Sequence, residues 1–272
     1  MATIFSTARL HNKVVLVTGA SSGIGAATAV LFSMAGANVV LAARRAEKLA
    51  EIEQACIQAN KDGGTGKGGR YATLSLDVNN HGQVDSILSA LPDWAAQVDV
   101  LVNNAGLALG TERVGDLKFD DVDRMLDTNV RGLIRMTQVF VNMFKARDAG
   151  HIINVGSIAG VEPYPGGSVY CASKFAVRAF TSALMKELYD TQIRVSNIQP
   201  GMVETEFSIV RFHGDKQNAD KVYAGIEPLA AQDIADEIVW AASRAPHVNI
   251  AEVLIMPTNQ AGPFHVARST AK

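Results

Sequence analysis

Cysteine is almost absent from this 272-residue sequence, which contains only Cys56 and Cys171. These two lie in separate predicted helices, so the sequence offers neither a disulfide framework nor the paired spacing of a zinc site. The six histidines are scattered, with none four residues from another and none beside a cysteine pair. We therefore predict no structural metal and a reducing, cytoplasmic environment.

An excess of charge of either sign is also missing, and so is a long apolar run. The 25 Lys and Arg residues against 27 Asp and Glu leave a formal net charge of −2, which gives no strong field for nucleic acid or anionic lipid. No uninterrupted apolar stretch approaches the roughly 18 residues of a membrane span. Residues 1–13 lack the apolar core of a secretory signal. We expect no nucleic-acid partner and no membrane partner.

Short runs rich in β-branched residues alternate with longer amphipathic stretches along most of the chain. The predicted strands are Lys13–Val17, Ala37–Ala42, Tyr71–Leu76, Val98–Val102, His151–Val155, Ile193–Ile198 and Glu252–Met256. The predicted helices are Gly23–Ala35, Ala46–Ala59, Gly82–Leu91, Asp120–Ala146, Ser168–Leu188 and Ala231–Ala242. This alternation predicts a doubly wound α/β Rossmann fold, with seven parallel strands covered by helices on both faces.

Nothing in the composition marks an interdomain linker, so we predict one domain over residues 1–272. Residues 60–70 contain five glycines and are typical of a mobile surface connection. Residues 201–228 lack a clear period and follow the sixth predicted strand, a place where a long insertion is often a substrate lid. For the polar tail, residues 258–272, the sequence leaves open whether it frays or covers a neighbouring subunit.

The first predicted strand is followed by a glycine-rich turn, Thr18-Gly-Ala-Ser-Ser-Gly-Ile-Gly25, that leads directly into a helix. Gly19 permits the sharp exit from the strand, Gly23 lets the backbone approach a pyrophosphate, and Gly25 permits close packing of the helix. The helix N-terminus adds unpaired N–H groups and its dipole for the anion. Strand, turn and helix in this order predict a dinucleotide site rather than a plain tight turn. Its predicted contacts are Gly19, Ser21, Ser22, Gly23 and Ile24.

The end of the second predicted strand, Leu41-Ala-Ala-Arg-Arg45, distinguishes two related cofactors. In NAD-binding folds an acidic residue here accepts hydrogen bonds from the ribose 2′-hydroxyl, whereas a basic residue accommodates the 2′-phosphate of NADP. Arg44 and Arg45 occupy this position and no carboxylate does, so bidentate guanidinium donors favour NADP. The alternative is that both arginines are solvated at the start of a surface helix.

Three residues farther along form a pattern with a chemical use. Ser157 ends the fifth predicted strand, and Tyr170 and Lys174 are four residues apart and therefore share one helix face. We expect the neighbouring ammonium to stabilise the Tyr170 phenolate and to lower its pKa from an ordinary value of about 10. Tyr170 would then transfer a proton while the Ser157 hydroxyl donates to the developing oxyanion. Alone, a tyrosine and a lysine at this spacing more often belong to an ordinary amphipathic helix.

Together with Asn103-Asn-Ala-Gly106, Asn129 and Pro200-Gly201, these motifs occur in the order and spacing of classical short-chain dehydrogenases/reductases, which the chain resembles over residues 11–257. The resemblance implies a catalytic tetrad of Asn129, Ser157, Tyr170 and Lys174. It further implies that Lys174 binds the nicotinamide ribose and that Asn129 holds a water of the proton relay. The other residues that it places at the cofactor are Asp77 and Val78 beside the adenine, Asn104, and Val203 and Thr205 at the nicotinamide end.

Within the family, several stretches resemble the NADP-dependent 3-hydroxy acid dehydrogenases that also oxidise serine and allo-threonine. These stretches are Leu41–Arg45, Gly106–Gly110, Val203–Ser208 with Val210–Phe212, and Pro257–Gln260. The resemblance implies reversible hydride transfer between NADP and the hydroxyl-bearing β-carbon of a small 3-hydroxy acid, of the L-serine, L-allo-threonine or 3-hydroxyisobutyrate type. It also implies assembly through the two long helices, and we predict a homotetramer.

A substrate carboxylate needs a cation or oriented N–H donors, because an unpaired buried carboxylate is costly. Arg211, in the predicted lid, is our candidate, and the plain alternative is that it is a solvated arginine. Glu204 and Glu206 lie nearby and would repel an acid if they faced the pocket. They are therefore expected to face solvent or to bind an amino group.

Two other functions stay open at this point. A broad-specificity carbonyl reductase or a 3-oxoacyl thioester reductase would use the same tetrad and cofactor and differ only in the lid and tail. A dinucleotide sensor or scaffold would use the same fold, since fold does not fix function, although an intact tetrad has no evident use there. Asn103 and Asn104 also have a structural alternative, which is to tie strand ends together.

Overall fold

The computed structural model describes residues 6–269, and the strands in this part of the chain form one parallel sheet. They are β1 Val14–Thr18, β2 Asn38–Ala43, β3 Tyr71–Ser75, β4 Val100–Asn103, β5 Gly150–Val155, β6 Ile193–Pro200 and β7 Glu252–Ile255. Their order across the sheet is β3-β2-β1-β4-β5-β6-β7. The order reverses between β1 and β4, which is where a doubly wound sheet opens a ligand crevice at the carboxyl ends of its strands. The predicted α/β Rossmann fold is confirmed.

Helices cover both faces of this sheet. In chain order they are α1 Gly23–Met34, α2 Ala46–Gly63, α3 His81–Asp85, α4 Ile87–Ala90, α5 Phe119–Leu126, α6 Leu133–Lys145, α7 Ser168–Glu187, α8 Glu206–Arg211, α9 Lys216–Tyr223 and α10 Ala231–Ala242. Helices α1, α2 and α10 pack on one face, around Phe32, Leu49 and Ile238. Helices α6 and α7 pack on the other, around Phe140 and Leu184.

Strand β1 illustrates why the strands of the sheet could be predicted from the sequence. Val15 and Val17 belong to one core cluster while Leu16 belongs to the other, and all three side chains are fully buried. A strand buried on both faces is a continuous apolar run, and successive side chains point to opposite faces. Burial of each such side chain stabilises the fold by about 1.5–3 kcal/mol.

Two predicted helices differ from the observed ones in a way that bears on the site. The stretch predicted as Asp120–Ala146 contains a π-helical turn at Asp127–Gly132, between α5 and α6. Such turns are rare and concentrate at functional sites. Gly132 is the last residue of the turn, and a Cβ on it would lie only 3.0 Å from the Val78 carbonyl oxygen. The turn therefore packs closely against the segment after β3. The stretch predicted as Gly82–Leu91 is divided into α3 and α4 at Ser86.

Residues 60–70 are tied down, contrary to the prediction of a mobile connection. Helix α2 continues to Gly63 and ends at Gly64, whose φ of 61° is in the left-handed region. The Asn60 amide nitrogen then donates to the carbonyls of Ser33 at 2.8 Å and Lys67 at 2.9 Å. The segment therefore folds back onto the end of α1.

The predicted lid contains α8 and α9, and the tail folds onto it. Val203 and Leu229 form an isolated bridge that closes the base of the lid. The Ser269 N–H donates to the Gly225 carbonyl at 2.7 Å, and the Arg268 guanidinium donates to the carbonyl of Val222 at 3.1 Å. Up to Ser269 the tail is thus fastened to its own subunit, and the last three residues of the predicted tail lie outside the described residues. None of the described helices is long and apolar enough to cross a membrane.

Candidate active site

The carboxyl ends of the central strands open into a cavity of about 820 Å³. It extends from the glycine turn after β1, past the ends of β2 and β3, to the start of α7 and the underside of the lid. The structure brings nearly every predicted site residue to this cavity, and Asn129 is the exception. The predicted residues that line it are Gly19, Ser21, Ser22, Gly23, Ile24, Arg44, Arg45, Asp77, Val78, Asn104, Ser157, Tyr170, Lys174, Val203, Thr205 and Arg211.

The glycine turn has the shape that a pyrophosphate requires. Gly19 and Gly23 have φ values of 66° and 54°, which favour glycine. A Cβ on Gly25 would lie 2.4 Å from the Gly19 carbonyl oxygen, so the helix can approach the turn this closely only without a side chain. Ser22 precedes α1 without capping it through its side chain, and the first N–H groups of the helix stay available for an anion. The residues therefore fit a dinucleotide.

Asn103 and Asn104 perform the structural role that the sequence left open. The Asn104 amide donates to the Thr18 carbonyl at 2.9 Å, and the Asn104 N–H donates to the Thr18 hydroxyl at 3.0 Å. The Asn103 amide donates at 2.9 Å to both Thr137 and Asn154. These bonds join β1, β4, β5 and α6, so both carboxamides fix the strand ends that form the floor of the cavity.

Arg45 is turned over the glycine turn. Its Nη2 donates to the Ser22 hydroxyl at 2.7 Å and pairs with Glu206 Oε2 at 3.0 Å, while Nε donates to the Ser21 hydroxyl at 3.2 Å. Arg44 is exposed beside it and also lines the cavity. Arg45 is exposed at the start of α2, but its guanidinium is bound to Ser21, Ser22 and Glu206. The end of β2 thus presents two guanidinium groups to whatever occupies this end of the cavity.

The proposed acid–base residue, Tyr170, lies in the first turn of α7 and is buried. Burial raises the pKa of the Tyr170 phenol, the neighbouring Tyr164 adds to the rise, and a hydrogen bond with Ser157 opposes it. The Ser157 hydroxyl oxygen accepts the Ala159 N–H at 3.1 Å, which leaves its own hydrogen free to donate. Phe207 of the lid covers the phenol, with ring centroids 5.6 Å apart. The raised pKa keeps the Tyr170 phenol protonated at neutral pH.

Lys174 shares a helix face with Tyr170 as predicted, but its electrostatic effect is not the expected one. The Lys174 ammonium donates to the Val155 carbonyl at 2.8 Å and lies 5.9 Å from the centroid of the Tyr170 ring. Burial lowers the pKa of Lys174 to about 8. The expected lowering of the Tyr170 pKa by this ammonium is wrong for this structure, because burial dominates at the phenol and the ammonium is bound to the end of β5.

Asn129 lies in the π-helical turn and is buried. Its amide nitrogen donates to the Leu107 carbonyl at 2.7 Å and to the Ser173 hydroxyl at 3.0 Å. Its amide oxygen accepts the Leu107 N–H at 2.8 Å. Both amide hydrogens are used, so a relay water cannot be held by them. The side chain instead joins the segment after β4 to helix α7, beneath the reacting groups.

The lid places its charged residues in three different environments. Arg211 donates to the Tyr164 hydroxyl at 2.9 Å and to the carbonyls of Gly166 at 2.9 Å and Gly110 at 3.3 Å, so it is not a solvated arginine. Glu204 is exposed and does not line the cavity, which agrees with the expectation that it faces solvent. Glu206 is half exposed, lines the edge of the cavity and pairs with the guanidinium of Arg45.

Sequence reasoning missed the aromatic side chains that line the cavity around Tyr170, of which three pack closely there. Tyr164 and Phe264 pack edge to face with ring centroids 5.7 Å apart, and Phe207 covers Tyr170. Tyr164 had a signal, since an aromatic residue in a loop of prolines and glycines just before the proposed acid is a candidate pocket residue. Phe264 had none, because the tail reaches the cavity only through tertiary packing.

Three comparisons with known proteins agree with this geometry. The sequence model of the family described as short chain dehydrogenase matches residues 13–215. A protein of Schizosaccharomyces pombe named NADP-dependent 3-hydroxy acid dehydrogenase is 47% identical over 264 residues, which covers 97% of this chain and 99% of that protein. Sulfoacetaldehyde reductase 2 of Chromohalobacter salexigens is 41% identical over 251 residues, covering 92% of this chain and 96% of the reductase.

Among solved structures, the chain is similar to the closed form of serine dehydrogenase complexed with NADP+. The TM-score is 0.86 and the sequence identity 37%, with 95% of this chain and 100% of that chain covered. The similarity therefore extends over the lid as well as the sheet.

Proposed function

This chain belongs to the short chain dehydrogenase family, and from that premise we propose that it is an NADP-dependent dehydrogenase of small 3-hydroxy acids. The substrates are of the L-serine, L-allo-threonine and 3-hydroxyisobutyrate type, and the reaction is reversible oxidation of the 3-hydroxyl group to a 3-oxo group. The observation that carries the substrate class is the Arg211 guanidinium, which is held at the cavity by uncharged acceptors.

The chain's own residues define where the cofactor lies. The glycine turn and the N-terminus of α1 hold the pyrophosphate. Arg44 and Arg45 hold the 2′-phosphate of NADP, and Asp77 with Val78 borders the adenine. Val203 and Thr205 contact the nicotinamide end, near Lys174. When bound, NADP supplies the hydride acceptor for oxidation and, once reduced, the hydride donor for the reverse reaction.

Tyr170 and Ser157 handle the proton and the oxygen of the substrate. In the reductive direction Tyr170 donates its proton to the carbonyl oxygen as the hydride reaches the carbon. In the oxidative direction the phenolate removes the hydroxyl proton. The raised pKa of Tyr170 keeps the phenol protonated at neutral pH, which suits proton donation. When a substrate is bound, the Ser157 hydroxyl donates to the same substrate oxygen in place of its hydrogen bond with Tyr170 and stabilises the negative charge.

Arg211 supplies the charge that distinguishes an acid from a neutral alcohol. Among residues 6–269, no carboxylate lies within salt-bridge distance of its guanidinium, so no side chain of the described protein neutralises it there. A guanidinium has five N–H donors, and three are used by Tyr164, Gly166 and Gly110. The other two remain for a substrate carboxylate, and a charged hydrogen bond of this kind contributes about 1.5–3 kcal/mol.

The test compares 3-hydroxyisobutyrate with 2-methyl-1,3-propanediol, in which a hydroxymethyl group replaces the carboxylate. With NADP, Arg211→Gln is expected to raise the KM for the acid about 10- to 150-fold and to leave the KM for the diol nearly unchanged. Arg211→Lys keeps the charge and is the matched control. Equal effects on both substrates would contradict the role of Arg211. No turnover of hydroxy acids by the wild-type enzyme, with neutral ketones still reduced, would instead favour a general carbonyl reductase.

We also propose a cytoplasmic homotetramer built through the long helices. Exposed apolar side chains on this part of the surface support the assembly: Phe119 on α5, Ile134 on α6 and Phe175 on α7. Two buried free cysteines are in keeping with a reducing compartment. Sedimentation equilibrium of the full chain tests the assembly, and a monomer at micromolar concentration would contradict it.

A further inference from the structure

Glu206 connects the substrate lid to the end of the cavity where the 2′-phosphate of NADP is proposed to lie. It is the first residue of α8, directly after Thr205, whose hydroxyl caps the helix by accepting the Phe207 N–H at 3.2 Å. The Thr205 side chain lies 3.3 Å from the position that a Cβ on Gly23 would occupy. The lid helix therefore begins directly above the glycine turn, and Glu206 reaches from there to Arg45.

The contact between Glu206 and Arg45 uses the same guanidinium nitrogen that faces the turn. Nη2 of Arg45 donates to the Ser22 hydroxyl at 2.7 Å and pairs with Glu206 Oε2 at 3.0 Å. Both side chains are about half exposed, at 46% and 51%. An ion pair with this exposure contributes only about 0–1 kcal/mol, so a more highly charged anion can displace it.

The charges around this pair favour such an exchange. A phosphate monoester carries about −1.5 to −2 charges at neutral pH, against −1 for a carboxylate. A phosphate at Arg45 would also be repelled by the Glu206 carboxylate beside it. The nearby Lys48 cannot neutralise Glu206 fully, because its ammonium is paired with Glu51 at 2.8 Å. Arg45 is thus the guanidinium for which the Glu206 carboxylate and the phosphate compete.

We propose that Glu206 is a cofactor-specificity residue that competes with the 2′-phosphate of NADP for Arg45. This inference rests on the proposed cofactor site, in which Arg45 binds that phosphate. Glu206 lowers the affinity for NADP and leaves the affinity for NAD unchanged, because NAD has no group that displaces the carboxylate. Coupling of this kind is reciprocal, so the phosphate weakens the hold of Arg45 on the lid by the same factor.

The test uses Glu206→Gln in the full chain and two nucleotide fragments that differ only in the 2′-phosphate, 2′,5′-ADP and 5′-AMP. Isothermal titration calorimetry is expected to show a two- to fivefold lower Kd for 2′,5′-ADP and the same Kd for 5′-AMP. The change corresponds to about 0.4–1 kcal/mol. Glu204→Gln removes the same charge two residues away, from an exposed side chain outside the cavity, and is expected to change neither Kd.

An unchanged or weaker affinity of Glu206→Gln for 2′,5′-ADP would overturn the competition, and so would an equal gain for both fragments. Arg45→Gln separates this from a failure of the cofactor site. If Arg45 binds the phosphate, Arg45→Gln weakens 2′,5′-ADP relative to 5′-AMP, and adding Glu206→Gln to that variant improves the affinity for 2′,5′-ADP less than it does in the wild type. If Arg45→Gln leaves both fragments unchanged, the proposed phosphate site is itself wrong and the competition falls with it.

Discussion

Replacement of Asn129 by alanine tests whether this residue acts by holding the active-site backbone together. The substitution removes both hydrogen bonds to Leu107 and the bond to Ser173. Ser173 keeps a partner, because its hydroxyl still donates to the Tyr170 carbonyl at 2.7 Å. The N–H and the carbonyl of Leu107, which is buried, are both left without the partner they had.

Each buried polar group left without a partner costs about 1–3 kcal/mol, so Asn129→Ala is expected to lower the free energy of unfolding by about 2–6 kcal/mol. At about 2–4 °C per kcal/mol for a chain of this size, Tm falls by roughly 4–24 °C. Urea unfolding followed by circular dichroism measures the first quantity, and a thermal scan measures the second. We also expect kcat, measured well below the new Tm, to fall, because Leu107 and α7 no longer hold Tyr170 and Lys174 in register.

Asn103→Ala is the matched control for Asn129→Ala. Asn103 is also a buried asparagine, and it donates to Thr137 and Asn154 behind the cavity. Its replacement is expected to destabilise the fold while kcat changes much less. The reasoning is refuted if Asn129→Ala unfolds at the same urea concentration as the wild type, or if the two variants lose kcat equally at equal stability.

The remaining predictions concern the proton at Tyr170. Tyr170→Phe is expected to lower kcat at least a thousandfold and to leave the Kd for NADPH within about twofold, because it removes the proton donor and little surface; a residual kcat within tenfold of the wild type would exclude Tyr170 as the acid. Burial raises the pKa of Tyr170 and lowers that of Lys174 to about 8. Below the raised pKa of Tyr170 the phenolate fraction rises with pH, so oxidation, which needs the phenolate, is expected to accelerate from pH 6 to 10. The protonated fraction that reduction needs stays nearly constant, and reduction is expected to slow only as pH rises through about 8, where Lys174 loses the charge with which it is proposed to bind the nicotinamide ribose. Initial rates in both directions from pH 6 to 10 check this, and parallel profiles would contradict it.

The elements that the sequence predicts well are those whose burial is settled locally. Strand β1 is an uninterrupted apolar run because both of its faces are covered, and the glycine turn after it has a fixed spacing. Tyr170 and Lys174 share a face because four residues make about one helical turn. In each case a few residues close together in the sequence are enough to predict the local structure.

What the sequence did not predict depends on contacts between distant residues. Tyr170 and Lys174 have the predicted spacing, but burial raises the pKa of Tyr170, and this burial comes from tertiary packing that includes Phe207 of the lid. The sequence did not decide the position of the tail, because folding of the lid is what brings the tail's partners, the carbonyls at the end of α9, next to it. The π-helical turn at Asn129 also depends on distant contacts, since the Asn129 side chain is hydrogen-bonded to Leu107 and Ser173. Local helix propensity does not predict these bonds.

Helix α8 contains both charged residues on which the proposals depend, Glu206 and Arg211. Glu206 begins this helix beside the proposed phosphate site, and Arg211 ends it beside Tyr164. The six residues span only about 9 Å at 1.5 Å per residue, and each charge has the sign that the helix dipole favours at its end. Both side chains therefore belong to one short element of the lid, so any displacement of this helix changes the position of both charges. The proposed recognition of the cofactor phosphate and that of the substrate carboxylate take place at its two ends.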